Sequence, residues 1–421
     1  MINNMINKLF NYRPHFLLPV FFAVLILLAI YLSIFHFDPL HSQRLYYDLG
    51  REQFTRGADF NNFYFAAKRL AAGENFYLIN NPAQSLPGEL AGGATRFIYP
   101  PLLAYLFVPF SFFSLNTAFY LYTFFVVVLL SVSVYLLSRL LPDDKSFSYA
   151  ATALLALSPI VWFHLERGQT DVVVLFLLTA ACFLLIRGRF KSVGLFVGLA
   201  ALFKFTPLIF ISYLFFKNRK AFWSSIATLI VGSFILGIGW LGYFFTALGS
   251  FASGFISSSI FSNSLAGVFY NRLTRAYLSF EVTQKIYLIL VLVLVVAVFV
   301  FLYRSLKRDN KNDPEHVLPE WALLSAGLIL LPNISWLYNG VHLLILLAAW
   351  WCLREKNLLS PARSVAGDIL MYLILAQPLL LPFFQTVPGS LLFVLRPVYV
   401  IVLLVMIFGV YNSLVYARRT L

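Results

Sequence analysis

The chain has 421 residues, of which 61% are hydrophobic, 18% are aromatic and only 11% are charged. Soluble domains carry about 25% charged residues. The composition therefore excludes a soluble globular enzyme, a disordered chain, a coiled coil and a disulfide scaffold, and it predicts an integral membrane protein. Lys and Arg number 31 against 17 Asp and Glu, a net charge of +14. We interpret this excess as the positive-inside bias of membrane proteins and expect no nucleic-acid partner, because no basic and aromatic cluster resembles a binding platform.

The first predicted element is an uncleaved membrane-spanning helix over residues 17–35. Lys8 and Arg13 precede it, and no small-residue cleavage site follows it. With the basic end in the cytoplasm, residues 36–98 emerge on the outside. Twelve further apolar runs follow between residues 98 and 416. Since both chain ends are predicted to be cytoplasmic, the number of crossings must be even. We predict about twelve, with the proline-broken run 98–113 either re-entrant or part of a kinked span.

The connectors between these runs fall into two classes. Basic connectors, predicted to be cytoplasmic, lie at 187–191, 217–220, 304–311, 354–363 and 418–419. The connectors that alternate with them, predicted to lie outside, are 164–170, 204–207, 249–284, 332–336 and 385–388. The sequence thus predicts an all-α polytopic membrane protein with one domain over residues 1–421. That domain comprises the first span at 17–35, an outer loop at 36–98 and the remaining spans over 99–416. Its predicted location is the inner (plasma) membrane of a bacterium.

The outer loop 36–98 holds six of the 17 acidic residues. Within it, Phe60, Phe63 and Tyr64 recur at helical spacing, which predicts an interfacial helix over residues 59–70. We expect this helix to lie on the membrane surface with its aromatic face in the lipid interface. Asp59, at its start, has two interpretations: an N-cap that does nothing more, or a general base held at the membrane–water boundary.

Polar residues in other outer segments indicate a cavity that opens outward, because ionisable groups at membrane depth usually mark a functional path. Each also has an ordinary structural interpretation, as a surface pair, a snorkelling lysine or a packing histidine. These residues are Glu166, Arg167, Gly168, Gln169, Asp171, Lys204, Thr206, Asn263, Ser264, Asn271, Arg272, Asn333, Ser335, Trp336, Tyr338, Asn339 and His342, together with Arg396 inside the last predicted span.

A lipid-linked anionic substrate fits such a cavity. Its phosphate requires cations, and the candidates are Arg167, Lys204, Arg272 and Arg396. In glycosyl transfer from a polyprenyl phosphate, Asp59 would accept the proton of the attacking hydroxyl, and a single displacement inverts the anomeric centre. The chain contains no Asp-x-Asp pair, so we expect no obligatory metal and no other cofactor.

Several motifs resemble glycosyltransferase family 87 in their order and spacing, over about residues 55–350. They are Asp59-Phe-Asn-Asn-Phe-Tyr-Phe-Ala-Ala, Gly73-Glu-Asn-Phe-Tyr77, Tyr99-Pro-Pro-Leu102, Glu166-Arg-Gly-Gln-Thr-Asp171, Gly198-Leu-Ala-Ala-Leu-Phe-Lys-Phe-Thr-Pro207, Asn263-Ser-Leu-Ala-Gly267 and Pro332-Asn-Ile-Ser-Trp336.

The resemblance implies a membrane glycosyltransferase of the GT-C fold, of which mannosyltransferases using polyprenyl-phosphate-mannose are typical. It implies an acidic catalytic residue in the first outer loop, a position that Asp59 occupies. It also implies a lipid-linked glycan or glycolipid acceptor in the bilayer. The candidate substrate-binding residues are Asn62, Tyr64, Tyr99, Arg167, Gln169, Asp171, Lys204, Thr206, Asn263, Ser264, Arg272, His342 and Arg396.

Two other functions remain open from the sequence. A transporter or flippase of lipid-linked oligosaccharides would share the basic polar cavity but would open to both sides of the membrane. A non-catalytic subunit of an envelope assembly complex would have no reason to direct Asp59 into the cavity. The leading prediction is an inverting hexosyltransferase.

Overall fold

The structure is a computed structural model that describes residues 58–77, 97–255, 311–330 and 337–358, with isolated positions between 282 and 304 and at 367, 368 and 409. The predicted first span at 17–35 and most of the loop 36–98 lie outside these residues. Over the described ranges the chain is helical and contains no strand. The helices are α1 (Ala58–Ala71), α2 (Pro101–Ser111), α3 (Leu115–Ser138), α4 (Asp144–Leu157), α5 (Pro159–Arg167), α6 (Asp171–Ile186), α7 (Phe190–Phe203), α8 (Leu208–Lys217), α9 (Arg219–Ile235), α10 (Gly239–Phe255), α11 (Pro314–Leu330), a 3₁₀ helix (Leu337–His342) and α12 (Leu343–Glu355).

The helix α3 is the clearest membrane span. Ser114 caps its start by accepting a hydrogen bond from the Thr117 backbone N–H, and its 24 residues extend about 36 Å. The hydrocarbon core of a bilayer is about 30 Å thick. Among the described helices α3 alone is long and apolar enough to cross a bilayer. Helices α9 and α10 together would form a second span if they were counted as one broken helix. That pair is bent by 101°. The predicted total of about twelve spans therefore stays a prediction.

The segment 98–113 does not cross a membrane as one helix. Its only helix, α2, has 11 residues, a length of about 16 Å. Tyr99, just before α2, and Tyr122, in the second turn of α3, both bind Gln169. The chain therefore leaves Gln169 and returns to it, and the choice between a re-entrant segment and part of a kinked span stays a prediction.

The aromatic face of α1 packs on protein, so our expectation that it faces lipid was wrong. Phe60 and Phe63 are completely buried. The ring of Phe60 lies 5.7 Å from that of Phe107 on α2 and 5.6 Å from that of Tyr122 on α3. The helical prediction itself is confirmed, since α1 spans Ala58–Ala71. The periodicity of the sequence identified the apolar face of α1. It did not show that rings from α2 and α3 cover this face.

The bundle has two chemically different ends. Asp171 at the start of α6 contacts Lys204 just after α7, so these antiparallel helices share one end. Their other end carries the basic connector 187–191, about 22 Å away along α6. Lys217 at the end of α8 donates to the backbone carbonyl of Lys311 before α11. Basic connectors thus gather at the end remote from Asp171, which agrees with the predicted positive-inside pattern.

Large apolar side chains are exposed along α9. Trp223, Phe234 and Ile235 have 63%, 65% and 77% of their surface exposed. Soluble proteins rarely leave such a continuous apolar surface in water. This helix therefore has the surface expected of a protein in contact with lipid.

Candidate active site

The first element of the site is an ion pair between Asp59 and Arg167. Arg167 Nε donates to Asp59 Oδ2 over 2.6 Å, and its Nη2 donates to Oδ1 over 3.0 Å. Both side chains are mostly buried, with 13% and 14% of their surface exposed. Asp59 is the second residue of α1 and lies in its first turn, so the interpretation of Asp59 as an N-cap was wrong. The bidentate contact fixes the plane of the carboxylate.

Gly168 makes this pairing possible. It ends α5 with φ at +67°, in the left-handed region that glycine adopts without steric cost. A Cβ placed here would lie 2.5 Å from Cβ of Phe60. The missing side chain thus allows α5 to approach α1 closely, while the turn sends Arg167 and Gln169 to different partners.

The second element is a buried cluster around Asp171, which has 1% of its surface exposed. Lys204 Nζ donates to both carboxylate oxygens, over 2.8 and 2.9 Å. Asn339 Nδ2 donates to Oδ1 over 2.8 Å, and His342 Nε2 lies 3.4 Å from the same oxygen. The start of α6, the end of α7 and the 3₁₀ helix therefore converge on one carboxylate.

His164 borders this cluster from the outer connector 164–170. Its Nε2 accepts a hydrogen bond from the Val172 backbone N–H over 3.1 Å. A neutral imidazole that accepts at Nε2 carries its proton on Nδ1. Burial lowers the pKa of His164 to about 3, with Lys204 and His342 adding to the effect and Asp171 opposing it. The ring is therefore neutral at physiological pH.

Gln169 connects the two elements. Its backbone carbonyl accepts a hydrogen bond from the hydroxyl of Tyr122 over 2.7 Å, and its Nε2 lies 3.4 Å from the hydroxyl oxygen of Tyr99. Burial and then the charge of Asp59 raise the pKa of Tyr99 far above its ordinary value, so its hydroxyl stays protonated. The two tyrosines hold the turn between Arg167 and Asp171 in place.

Aromatic side chains flank the site on both sides. Trp240 of α10 packs on Phe76, which follows α1, with ring centroids 4.5 Å apart. Phe205, next to Lys204, packs on Phe244 of α10 at 5.6 Å. Helix α10 thus joins the segment after Asp59's helix to the connector that carries Lys204, and 41% of Phe205 is exposed. A charged group next to an exposed ring suits an amphipathic substrate.

The structure brings together many of the residues singled out in the sequence, namely Asp59, Tyr99, Arg167, Gln169, Asp171, Lys204 and His342. Others have different surroundings. Asn62 is buried in α1, the Tyr64 hydroxyl donates to the carbonyl of Phe113, and Thr206 is half-buried two residues after Lys204. The remaining candidates lie outside the described residues: Asn263, Ser264, Arg272 and Arg396.

Sequence reasoning missed two contributors to the site, Tyr122 and His164, and named a third, Asn339, without giving it a specific role. Tyr122 lies in a long apolar helix, where an aromatic residue is usually part of the packing. His164 begins the outer connector without any motif of its own. Asn339 was recognised only as one of many polar residues, although its spacing of three from His342 places both on one face of a helix.

The carboxylates of the site are held by cations, because Arg167 binds Asp59 and Lys204 binds Asp171. Across the described ranges, one group of acid and imidazole side chains has ligand atoms within 4.8 Å of one another: Asp313, Glu315 and His316. It lies at the start of α11, at the basic end of the bundle, and takes no part in this site.

Comparison with known proteins places the chain in a family. The sequence model of glycosyltransferase family 87 matches residues 97–332, more than half of the chain. The matched range contains Tyr99, Arg167, Asp171 and Lys204, whereas Asp59 and His342 lie beyond it and join the site through their contacts. None of the curated protein sequences compared with the chain is significantly similar to it.

Proposed function

Because the chain belongs to glycosyltransferase family 87, we propose that it is an inverting hexosyltransferase that uses a polyprenyl-phosphate-sugar donor. The sugar is mannose by analogy with the family members that typify the resemblance. The acceptor is a lipid-linked or envelope glycan on the outer side of the plasma membrane. The observation that carries the proposal is the Asp59–Arg167 pair beside the Asp171–Lys204 pair, which gives one end of the bundle a carboxylate base and cations for a phosphate.

The proposed reaction is a single displacement at the anomeric carbon. The acceptor hydroxyl oxygen forms a bond to this carbon, and its proton passes to a carboxylate oxygen of Asp59. The bond between the anomeric carbon and the phosphate oxygen breaks, and polyprenyl phosphate leaves with the electron pair. One displacement without a covalent enzyme intermediate inverts the configuration.

The cations stabilise the leaving group. A donor phosphodiester carries one negative charge, and the departing monoester acquires a second. A guanidinium in a mostly dry site stabilises this developing charge more strongly than it would in water. Arg167 is the described cation best placed for this role, because it lies against the proposed base; Arg272 and Arg396 remain predicted contributors.

The proposed membrane arrangement follows from the two ends of the bundle. The basic connectors face the cytoplasm and the end with Asp59 and Asp171 faces outward. In this arrangement residues 1–421 form one GT-C-type domain with about twelve spans. The exposed apolar surface of α9 and the length of α3 support a location in the bilayer.

The substitution Asp59→Asn tests the function. The protein, purified in lipid nanodiscs, is incubated with a polyprenyl-phosphate-sugar and a panel of lipid-linked acceptors, and products are measured by mass spectrometry. Loss of a general base is expected to lower the rate by about 10²–10⁴-fold. Glu74→Gln is the matched control, since Glu74 lies on the same outer loop with 49% of its side chain exposed and is bound to Arg69.

Two outcomes contradict the proposal. Undiminished product from the Asp59→Asn variant removes Asp59 from the role of base. Movement of a lipid-linked sugar across the membrane without any transfer to an acceptor would support the transporter instead.

A further inference from the structure

We propose that Arg167 exchanges partners during the reaction: donor binding moves its guanidinium from Asp59 to the phosphate, and this exchange frees the base. The inference rests on the proposed function and adds a coupling between donor binding and the activation of the base. It makes Arg167 a positioning residue for Asp59 in the empty site and a phosphate ligand in the occupied one. It also implies an order, in which the donor precedes deprotonation of the acceptor.

The charges of the site require a rearrangement. Arg167 and Lys204 each hold a carboxylate through two hydrogen bonds. An anion that enters between these pairs meets cations whose charge is already balanced. A phosphate therefore binds well only if one of the two cations turns towards it.

Burial decides which pair opens. Asp171 has 1% of its side chain exposed, and losing Lys204 would leave its charge in the interior with only Asn339 and His342 as neighbours from the described cluster. Removing the partner of a buried charge is strongly unfavourable. Asp59 has 13% of its side chain exposed, so its charge is easier to solvate when Arg167 leaves. The Asp59–Arg167 pair is therefore the one that exchanges.

The exchange also suits the chemistry. While Arg167 donates to both carboxylate oxygens of Asp59, one lone pair of each oxygen is directed at the guanidinium. Once Arg167 turns to the phosphate, these lone pairs are also open to accept the proton of a sugar hydroxyl. The same movement brings the guanidinium to the leaving group whose charge grows. One side chain thereby links donor occupancy to the presence of an active base.

A double-mutant cycle on phosphate binding tests this inference. The affinity of farnesyl phosphate, a short polyprenyl phosphate, is measured by calorimetry in nanodiscs for the wild type, Asp59→Asn, Arg167→Gln and the double variant. Farnesol, which lacks the phosphate, is the ligand control. Partner exchange predicts that Asp59→Asn tightens binding roughly tenfold, because the phosphate no longer competes with the carboxylate. Arg167→Gln is expected to weaken binding by a similar factor or more.

The decisive measurement is the affinity of the double variant for farnesyl phosphate. Under partner exchange the gain from Asp59→Asn disappears in the Arg167→Gln background, so the double variant binds like Arg167→Gln within about twofold. If Asp59→Asn still increases the affinity in the Arg167→Gln background, the increase comes only from relief of charge repulsion, and the inference is overturned. An unchanged affinity of Asp59→Asn overturns it as well. Glu166→Gln removes a neighbouring charge as a control, and an equal gain from that variant also counts against exchange.

Folding and function are controlled separately. The double variant carries two neutral hydrogen-bonding side chains, Asn and Gln, and size-exclusion profiles and thermal midpoints verify that each variant is folded. Farnesyl phosphate binding does not depend on sugar transfer. Coupling without transferase activity would refute the proposed function alone, whereas activity without coupling would refute the exchange alone.

Discussion

Lys204 and Asp171 form a nearly symmetric ion pair in which one ammonium binds both oxygens of a buried carboxylate, at 2.8 and 2.9 Å. In the sequence, Lys204 has no acidic neighbour and was predicted to bind the donor phosphate. In the structure its first role is to neutralise Asp171, 33 residues earlier in the chain. The carboxylate in turn fixes Asn339 and His342. This pair is therefore the anchor on which the 3₁₀ helix, α6 and the end of α7 meet.

Replacing Lys204 is expected to destabilise the protein before it affects the donor. Lys204→Met leaves the Asp171 charge buried without a cation, a change that costs about 3–5 kcal/mol when one partner of a buried pair is removed. The free energy of unfolding, measured by SDS titration in mixed micelles, should fall by this order. The neutral double variant Lys204→Met/Asp171→Asn should recover most of the loss. A single variant as stable as the wild type would mean that the pair is not buried as described.

Gly168→Ala should damage the site through its steric clash as well as its backbone strain. Both Gly168 and Gly188 have positive φ, +67° and +70°. A Cβ at Gly168 would lie 2.5 Å from Phe60, whereas a Cβ at Gly188 would have no atom within 4 Å. Left-handed strain costs each variant about 1–2 kcal/mol, so Gly188→Ala is a matched control.

The difference between the two variants therefore reports the steric clash at Gly168 alone. Gly168→Ala is expected to lower the thermal midpoint by clearly more than Gly188→Ala and to reduce transferase activity at least tenfold, because α1 must shift and carry Asp59 with it. Gly188→Ala, in the basic connector, should keep its activity. Equal effects of the two substitutions would refute the close approach of α5 to α1.

The sequence predicted the local features of this site well because they depend on neighbouring residues. Periodicity located the helix around Phe60 and Phe63, and the alternation of basic and polar connectors placed Gln169, Asp171 and Lys204 at one end of the bundle. The run 98–113, with its prolines, was correctly singled out as unlike a simple span. The periodicity of α1 and the prolines of 98–113 are each visible within a short window, and the alternation of connectors needs only their order along the chain.

Partnerships were not predictable, because they depend on tertiary packing. Asp59 and Arg167 are 108 residues apart, and Asp171 and Asn339 are 168 residues apart. No pattern along the chain indicates that Lys204 is neutralised by an acid. The burial of α1 was missed for the same reason, since the rings that cover Phe60 come from two later helices.

A second buried ion pair, at the basic end of the bundle, should matter for stability and not for catalysis. Lys217 Nζ lies 3.1 Å from Glu320 Oε2, and neither side chain is exposed. The hydroxyl of Tyr213 donates to the same carboxylate over 2.6 Å. We expect Glu320→Gln to lower the free energy of unfolding by about 3–5 kcal/mol, because it removes the carboxylate charge that the buried Lys217 ammonium binds.

The compensating substitution for this pair is Lys217→Met combined with Glu320→Gln. It should restore much of the stability, and the activity per folded molecule should equal that of the wild type, since the pair lies at the opposite end from Asp59. A loss of activity in the stable double variant would show that the two ends of the bundle are coupled.

His164 should make the protein sensitive to acid. Burial lowers its pKa to about 3, against about 6.5 in the unfolded chain. Between these values the unfolded state binds the extra proton and the folded state does not, so stability falls as the pH decreases from 6.5 towards 3. Between pH 7.5 and pH 5 the loss is about 2 kcal/mol. His164→Gln keeps an acceptor for the Val172 N–H without titrating, so the decrease in thermal midpoint over this interval should be smaller than in the wild type. Identical decreases in the two proteins would mean that His164 is protonated in the folded state.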